Sequence, residues 1–183
     1  MTKMEWGSAM PPEEPQQSRA ERHTIAVVVD NEPGVLARVI GLFSGRGYNI
    51  DSLTVTEVSH ENNLSRITIV TRGSPAVIEQ IKSQLGRLVP IHGVTDLTVK
   101  GDPVERELAL VKVAARGEKR VESLRLAEAF RAQVVDATTD HFTFELTGRI
   151  SKIDSFINLM KPLGLVEVAR TGAAAIGRGP EPM

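Results

Sequence analysis

The chain has 183 residues, 41% of them hydrophobic and 25% charged, and its 22 basic and 23 acidic residues leave a formal net charge of −1. That length and balance fit one globular domain or two small ones, without the basic excess that draws a protein to nucleic acid or an anionic membrane. With no cysteine there is no disulfide, thiolate metal site or cysteine nucleophile, and no apolar run approaches the roughly 20 residues of a membrane-spanning helix.

Residues 1–21, MTKMEWGSAMPPEEPQQSRAE, read as a disordered extension. They lack the apolar core of a signal peptide, and their glutamates argue against an acid-poor transit peptide, so the cytoplasm is the expected location. TIAVVVD then alternates Ile25, Val27 and Val29 as a strand. In the turn DNEPG, Pro33 suits the first helical position, where its missing N–H would be unpaired anyway. Gly34 leaves the next amides unshielded, and such amides with the helix dipole suit a carboxylate. Leu36, Val39, Ile40 and Phe43 recur at helical spacing and predict a helix packed on a sheet, stopped by Gly45 and Gly47. Taken alone, a Pro-Gly turn before a helix is most simply a capped helix.

IDSLTVTEV is a second strand with Leu53 and Val55 on one face, Asn62-Asn63 a turn, and LSRITIVT a third strand. Ser74-Pro75 opens a helix carrying Val77, Ile78, Ile81 and Leu85, and Gly93 precedes a last strand, VTDLTVK. The order βαββαβ is the ferredoxin-like pattern, an antiparallel sheet with both helices on one face. Gly101-Asp102-Pro103 breaks it, and the pattern restarts. ELALVKVAA is a strand, and VESLRLAEAF a helix with Leu126, Ala127 and Phe130 inward. QVVDAT and HFTFELTG flank a Thr-Thr-Asp turn. IDSFINLMKPLG carries Ile153, Phe156, Ile157 and Met160, and LVEVARTGAAAI closes the unit. The fold class is α+β, two ferredoxin-like βαββαβ domains in tandem over residues 22–101 and 104–180. Units of about 75 residues are marginal alone, so association is expected.

Catalytic patterns are weak. His23, His60, His92 and His141 are scattered and read as surface or loop residues, and Ser44 in GLFSGRG lacks the first glycine of a nucleophile elbow. No dinucleotide fingerprint or phosphate loop is present. Asp51 and Glu57 straddle a strand as solvent-facing carboxylates, and Arg46 reads as a cation at a helix C-terminus. RNA-recognition domains share the βαββαβ order, but they stack bases on aromatics of the third strand, and SRITIVT has none. No catalytic or metal residue is assigned.

NEPGVLARV resembles the ligand loop of ACT domains, the amino-acid-sensing modules of metabolic regulation. FSGRGYNIDSLTV, SRITIVT, RELALVKV, FRAQVVDAT and VEVARTGAAAIGRG resemble, in the same order, the small regulatory subunit of acetohydroxyacid synthase (acetolactate synthase). The resemblance covers about residues 22 to 180 and makes the first unit the ACT domain. After its opening strand the second unit has RGEKRVES, with no Asn/Asp-x-Pro-Gly turn. The resemblance implies a homodimer through the ACT domain and a catalytic large-subunit partner. It also implies feedback inhibition by valine or a related branched-chain amino acid. Thiamine diphosphate, Mg²⁺ and FAD would belong to the large subunit, and none to this chain. The implied effector site is the amides near Gly34, Val35 and Leu36 for the carboxylate and Asn31 for the polar end. Asn49 and Ile50 would come from the opposing subunit. Gly47-Tyr48-Asn49 by itself reads equally as a helix-to-strand turn. The alternatives are a stand-alone ACT sensor for another biosynthetic enzyme and an enzyme on a ferredoxin-like fold.

Overall fold

The computed structural model describes residues 20–182; the expected extension at 1–21 lies, except for its last two residues, outside the described residues. The first unit comprises β1 (Glu21–Asp30), α1 (Val35–Arg46), β2 (Ser52–Ser59), β3 (Leu64–Gly73), α2 (Pro75–Leu85) and β4 (Ile91–Asp96). The second comprises β5 (Val104–Val113), α3 (Glu118–Phe130), β6 (Gln133–Ala137), β7 (Phe142–Gly148), α4 (Ile150–Gly164), β8 (Leu165–Arg170) and β9 (Ala174–Ile176). The antiparallel sheets run β2-β3-β1-β4 and β6-β7-β5-β8, so both units are ferredoxin-like as expected.

The alternation read from the sequence sets the first core. Ile25 opposes Ile69 and Val27 opposes Ile67, and one face of the β1–β3 pair is therefore apolar. That face meets Val39 and Phe43 of α1 and Ile78, Ile81 and Leu85 of α2, all buried. Each such side chain stabilises the fold by about 1.5–3 kcal/mol. The second core repeats the scheme with Ala109, Val111, Phe144, Ile153, Phe156 and Met160.

Several local expectations are corrected. Pro33 is not the first helical residue. Glu32 to Val35 form a turn closed by the Val35 amide on the Glu32 carbonyl at 3.4 Å, with Gly34 at φ 90° and ψ −11°. Pro at the second position and a left-handed Gly at the third define a type II turn, which spends both residues before the helix begins. The inward stripe of α1 is Val35, Val39 and Phe43, while Leu36 and Ile40 stay 37% and 40% exposed. The helix stops at Gly47 (φ 68°), with Gly45 inside it. The last strand of the first unit starts at Ile91, before Gly93, because β1 offers it backbone partners from Val29 onward; it ends at Asp96, whose carboxylate turns the chain by accepting the Thr98 amide at 2.9 Å. His23 is not a surface residue: it is 6% exposed, and its Nδ1 lies 2.7 Å from buried Asp96.

The C-terminal segment does more than close the second unit. After β8 the chain crosses to β9, which pairs with Val104–Arg106 of β5 and covers the helix-free face of the first sheet. The Ala173 amide donates to Ser52 Oγ at 3.0 Å, Thr54 Oγ1 to the Ala173 carbonyl at 3.0 Å, and Arg66 to the Ala175 carbonyl at 2.7 Å. Burial there lowers the pKa of the Arg66 guanidinium. Ala26, Leu97 and Ala175 form a small apolar cluster beneath this strap. Arg22 clasps Glu105 across the units through two bonds of 3.2 and 3.0 Å, and Thr24 Oγ1 donates to the same carboxylate.

Candidate functional site

The turn between β1 and α1 is held on both sides. The Asn31 amide donates to the Asn63 carbonyl at 2.7 Å and the Asp30 amide to the Pro90 carbonyl at 3.2 Å. Asn63 sits at φ 51°, a left-handed conformation that asparagine tolerates, so the β2–β3 turn reaches the loop. Beyond it, α1 has no side-chain cap, and no acidic residue stands in its first turn. The amides of Gly34, Leu36 and Ala37 have no protein acceptor among the described residues. Unpaired amides at the positive end of a helix dipole form an anion-binding surface. Asn31 is exposed, and its side chain has no hydrogen-bond partner among the described residues. Val35 is buried as part of the core and its amide is taken by the Glu32 carbonyl, so the free amides are those on either side of it.

Asn49 and Ile50 stand elsewhere. Thr71 Oγ1 donates to the Asn49 carbonyl at 2.6 Å, and Asn49 Nδ2 donates to Asp51 Oδ1 at 2.6 Å. Asp51 is held in turn by Arg72 Nε at 2.7 Å, so it is an ion-paired rim residue rather than an acid or base. Asn31 adjoins the Leu64 end of β3 and Asn49 the Thr71 end. Seven residues of extended strand, on the order of 23 Å, separate those ends. Within one chain, Asn31, Gly34 and Leu36 are brought together, while Asn49 and Ile50 are not brought to them.

Two depressions of about 640 and 500 Å³ lie between the units. Their arginines 22, 72, 149 and 170 each already hold a carboxylate of the same chain. A polar groove whose charges are matched internally is a weaker ligand site than the turn, whose amides are not. The sequence reading missed two groups beside the turn, Asp30 and His92, whose Nε2 lies 2.5 Å from Asp30 Oδ1. The acidic residue before the turn was visible; the histidine 62 residues away was not. Among the described residues, no cluster of three or more His, Asp or Glu side chains is arranged to hold a metal ion, and no helix is long and apolar enough to cross a membrane.

Two family models match the chain. One described as "AHAS small subunit-like ACT domain" covers residues 25–92, and one described as "Small subunit of acetolactate synthase" covers residues 106–179. A probable acetolactate synthase small subunit of Archaeoglobus fulgidus is 49% identical over 158 residues, 86% of this chain and 98% of that one. The acetolactate synthase isozyme 3 small subunit of Escherichia coli is 45% identical over 86% of this chain and 96% of its own. The crystal structure of the acetolactate synthase small subunit from Thermotoga maritima superposes with a TM-score of 0.79 at 38% identity, over 88% of this chain and 99% of that one.

Proposed function

The chain belongs to the family of acetolactate synthase small subunits, and from that premise we propose that it activates a separate catalytic large subunit and makes it sensitive to valine or a related branched-chain amino acid. It does no chemistry itself. The condensation of 2-oxo acids, with its thiamine diphosphate, Mg²⁺ and FAD, is the large subunit's work, carried out in the cytoplasm.

The observation that carries this reading is the set of unpaired amides at the start of α1, adjoining the unengaged Asn31 side chain. The effector carboxylate is received by the amides of Gly34 and Leu36, which flank Val35, and Asn31 bonds its polar end. The position of Asn49 and Ile50 is accounted for by dimerisation. β2 is an edge strand, and its Val55 and Val58 are 44% and 55% exposed, alongside exposed Leu36 and Ile40. Edge strands with apolar side chains are templates for pairing with another chain. If two β2 strands pair antiparallel about a twofold axis, the Ser52 end of one lies beside the Ser59 end of the other. That pairing carries Asn49 and Ile50 of one chain to the Asn31 end of its partner. Each site then needs both chains, and effector binding and dimerisation reinforce each other.

The test is calorimetric titration of the purified chain with valine, leucine and isoleucine, followed by reconstitution with the large subunit. Binding to the chain alone, activation of acetolactate formation, and loss of that activity on adding the bound amino acid are expected. A chain that neither binds an amino acid nor alters the large subunit's rate would refute the proposal.

A further inference from the structure

His92 occupies a β-bulge. Val28 pairs with Gly93 and Val29 with Ile91, so His92 is the extra residue of β4 with no partner across the strand. Bulges re-aim a side chain out of the regular alternation, and this one directs imidazole Nε2 to within 2.5 Å of Asp30 Oδ1. Asp30 is thereby held twice, through that side-chain bond to β4 and through its amide on the carbonyl of Pro90, just before β4. Its carbonyl also accepts the Glu32 amide at 2.9 Å. The second oxygen, Oδ2, has no hydrogen-bond partner among the described residues.

We infer that His92 is a positioning residue that fixes the Asp30 carboxylate so that Oδ2 receives the ammonium group of the amino-acid effector. The inference rests on the effector site proposed above and supplies the charge which that site lacks. Amides and an asparagine satisfy a carboxylate and one polar bond, but an ammonium is best met by a fixed carboxylate. The turn offers two. Glu32 is exposed, without a side-chain partner among the described residues, whereas the Asp30 side chain is 31% exposed and doubly anchored. Ordering is therefore already done at Asp30, and a ligand binding there loses less entropy.

The charged group that His92 holds directly is the Asp30 carboxylate. The other charges near it are Glu32 in the turn and, on α1, Arg38, which donates to the Val89 carbonyl at 2.6 Å. On α2, Glu79 and Lys82 line a depression with His92 and pair with each other at 2.7 Å. None of these is bonded to Asp30 Oδ2, so that oxygen is left to the ligand.

The experiment is calorimetric titration of the full chain and its variants with valine, leucine and isoleucine at neutral pH. Asp30→Asn should bind more than about tenfold more weakly than the wild-type protein. His92→Ala should lose about tenfold, whereas His92→Gln, which keeps an N–H donor, should restore wild-type affinity. Equal weakening of the Ala and Gln variants overturns the inference, since it marks a merely structural histidine. So does unchanged affinity in His92→Ala and Asp30→Asn. Wild-type protein that binds none of the three amino acids overturns the underlying effector site as well.

Discussion

Gly34→Asp probes the anion site most directly. A Cβ built at Gly34 meets no atom within 4 Å, so the substitution is not opposed by crowding. Two other terms oppose it. The backbone is at φ 90°, where an L-residue costs about 1–2 kcal/mol, and that cost falls on folding. The new carboxylate also stands where the effector's carboxylate is proposed to be received. Like charges about 5 Å apart repel by about 3 kcal/mol at the effective dielectric of a protein surface, and salt trims this at an exposed turn. Effector affinity should fall by about 2–3 kcal/mol, or about 30- to 150-fold. Gly34→Ala carries the backbone cost without the charge, and should lose stability while losing less than about fivefold in affinity. Calorimetry with valine, beside a thermal unfolding curve for each variant, separates the two terms. Reconstitution with the large subunit then reports whether inhibition follows affinity. A folded Gly34→Asp protein that still binds valine within about threefold of wild type would refute the assignment of the α1 amides.

Three further outcomes are expected. Heterodimers with Asn31→Ala in one chain and Asn49→Ala in the other should hold one doubly damaged site and one intact site; calorimetry showing two equally weakened sites would exclude the cross-chain arrangement. Val55→Asp puts a charge on the exposed edge of β2, and sedimentation velocity should show monomers that no longer bind the effector; an unchanged dimer would move the interface elsewhere. Gly172→Val should lower stability by about 2–4 kcal/mol, because crowding and left-handed strain add there. A Cβ on Gly172, at φ 81°, falls 2.7 Å from Ser52 Oγ and 2.9 Å from Thr54 Cγ2. An unaltered melting temperature would show that the C-terminal strap does not bear on the first sheet.

Local sequence was enough for the two βαββαβ units, the buried faces of β1 and β3 and the turn on which the proposed effector site is built. Those features rest on residues a few positions apart: Ile25, Val27 and Val29 alternate, Ser74-Pro75 caps α2, and Glu32-Pro33-Gly34 can only turn. Tertiary structure decided whatever depends on partners far along the chain. Leu36/Ile40 and Val35/Val39 are both valid helical stripes, and packing against Ile67 and Ile69 of β3 selected the second. The sheet register at Val28 and Val29 created the bulge that turns His92 onto Asp30. The pairing of β1 with β4 buried His23 against Asp96, a contact across 73 residues. The length of β3 placed Asn31 and Asn49 at opposite ends of one chain, which is why the proposed site draws on two chains. A helix or strand reveals its period within ten residues, but register and strand order are collective properties of a whole sheet, set only when distant segments compete for the same backbone partners.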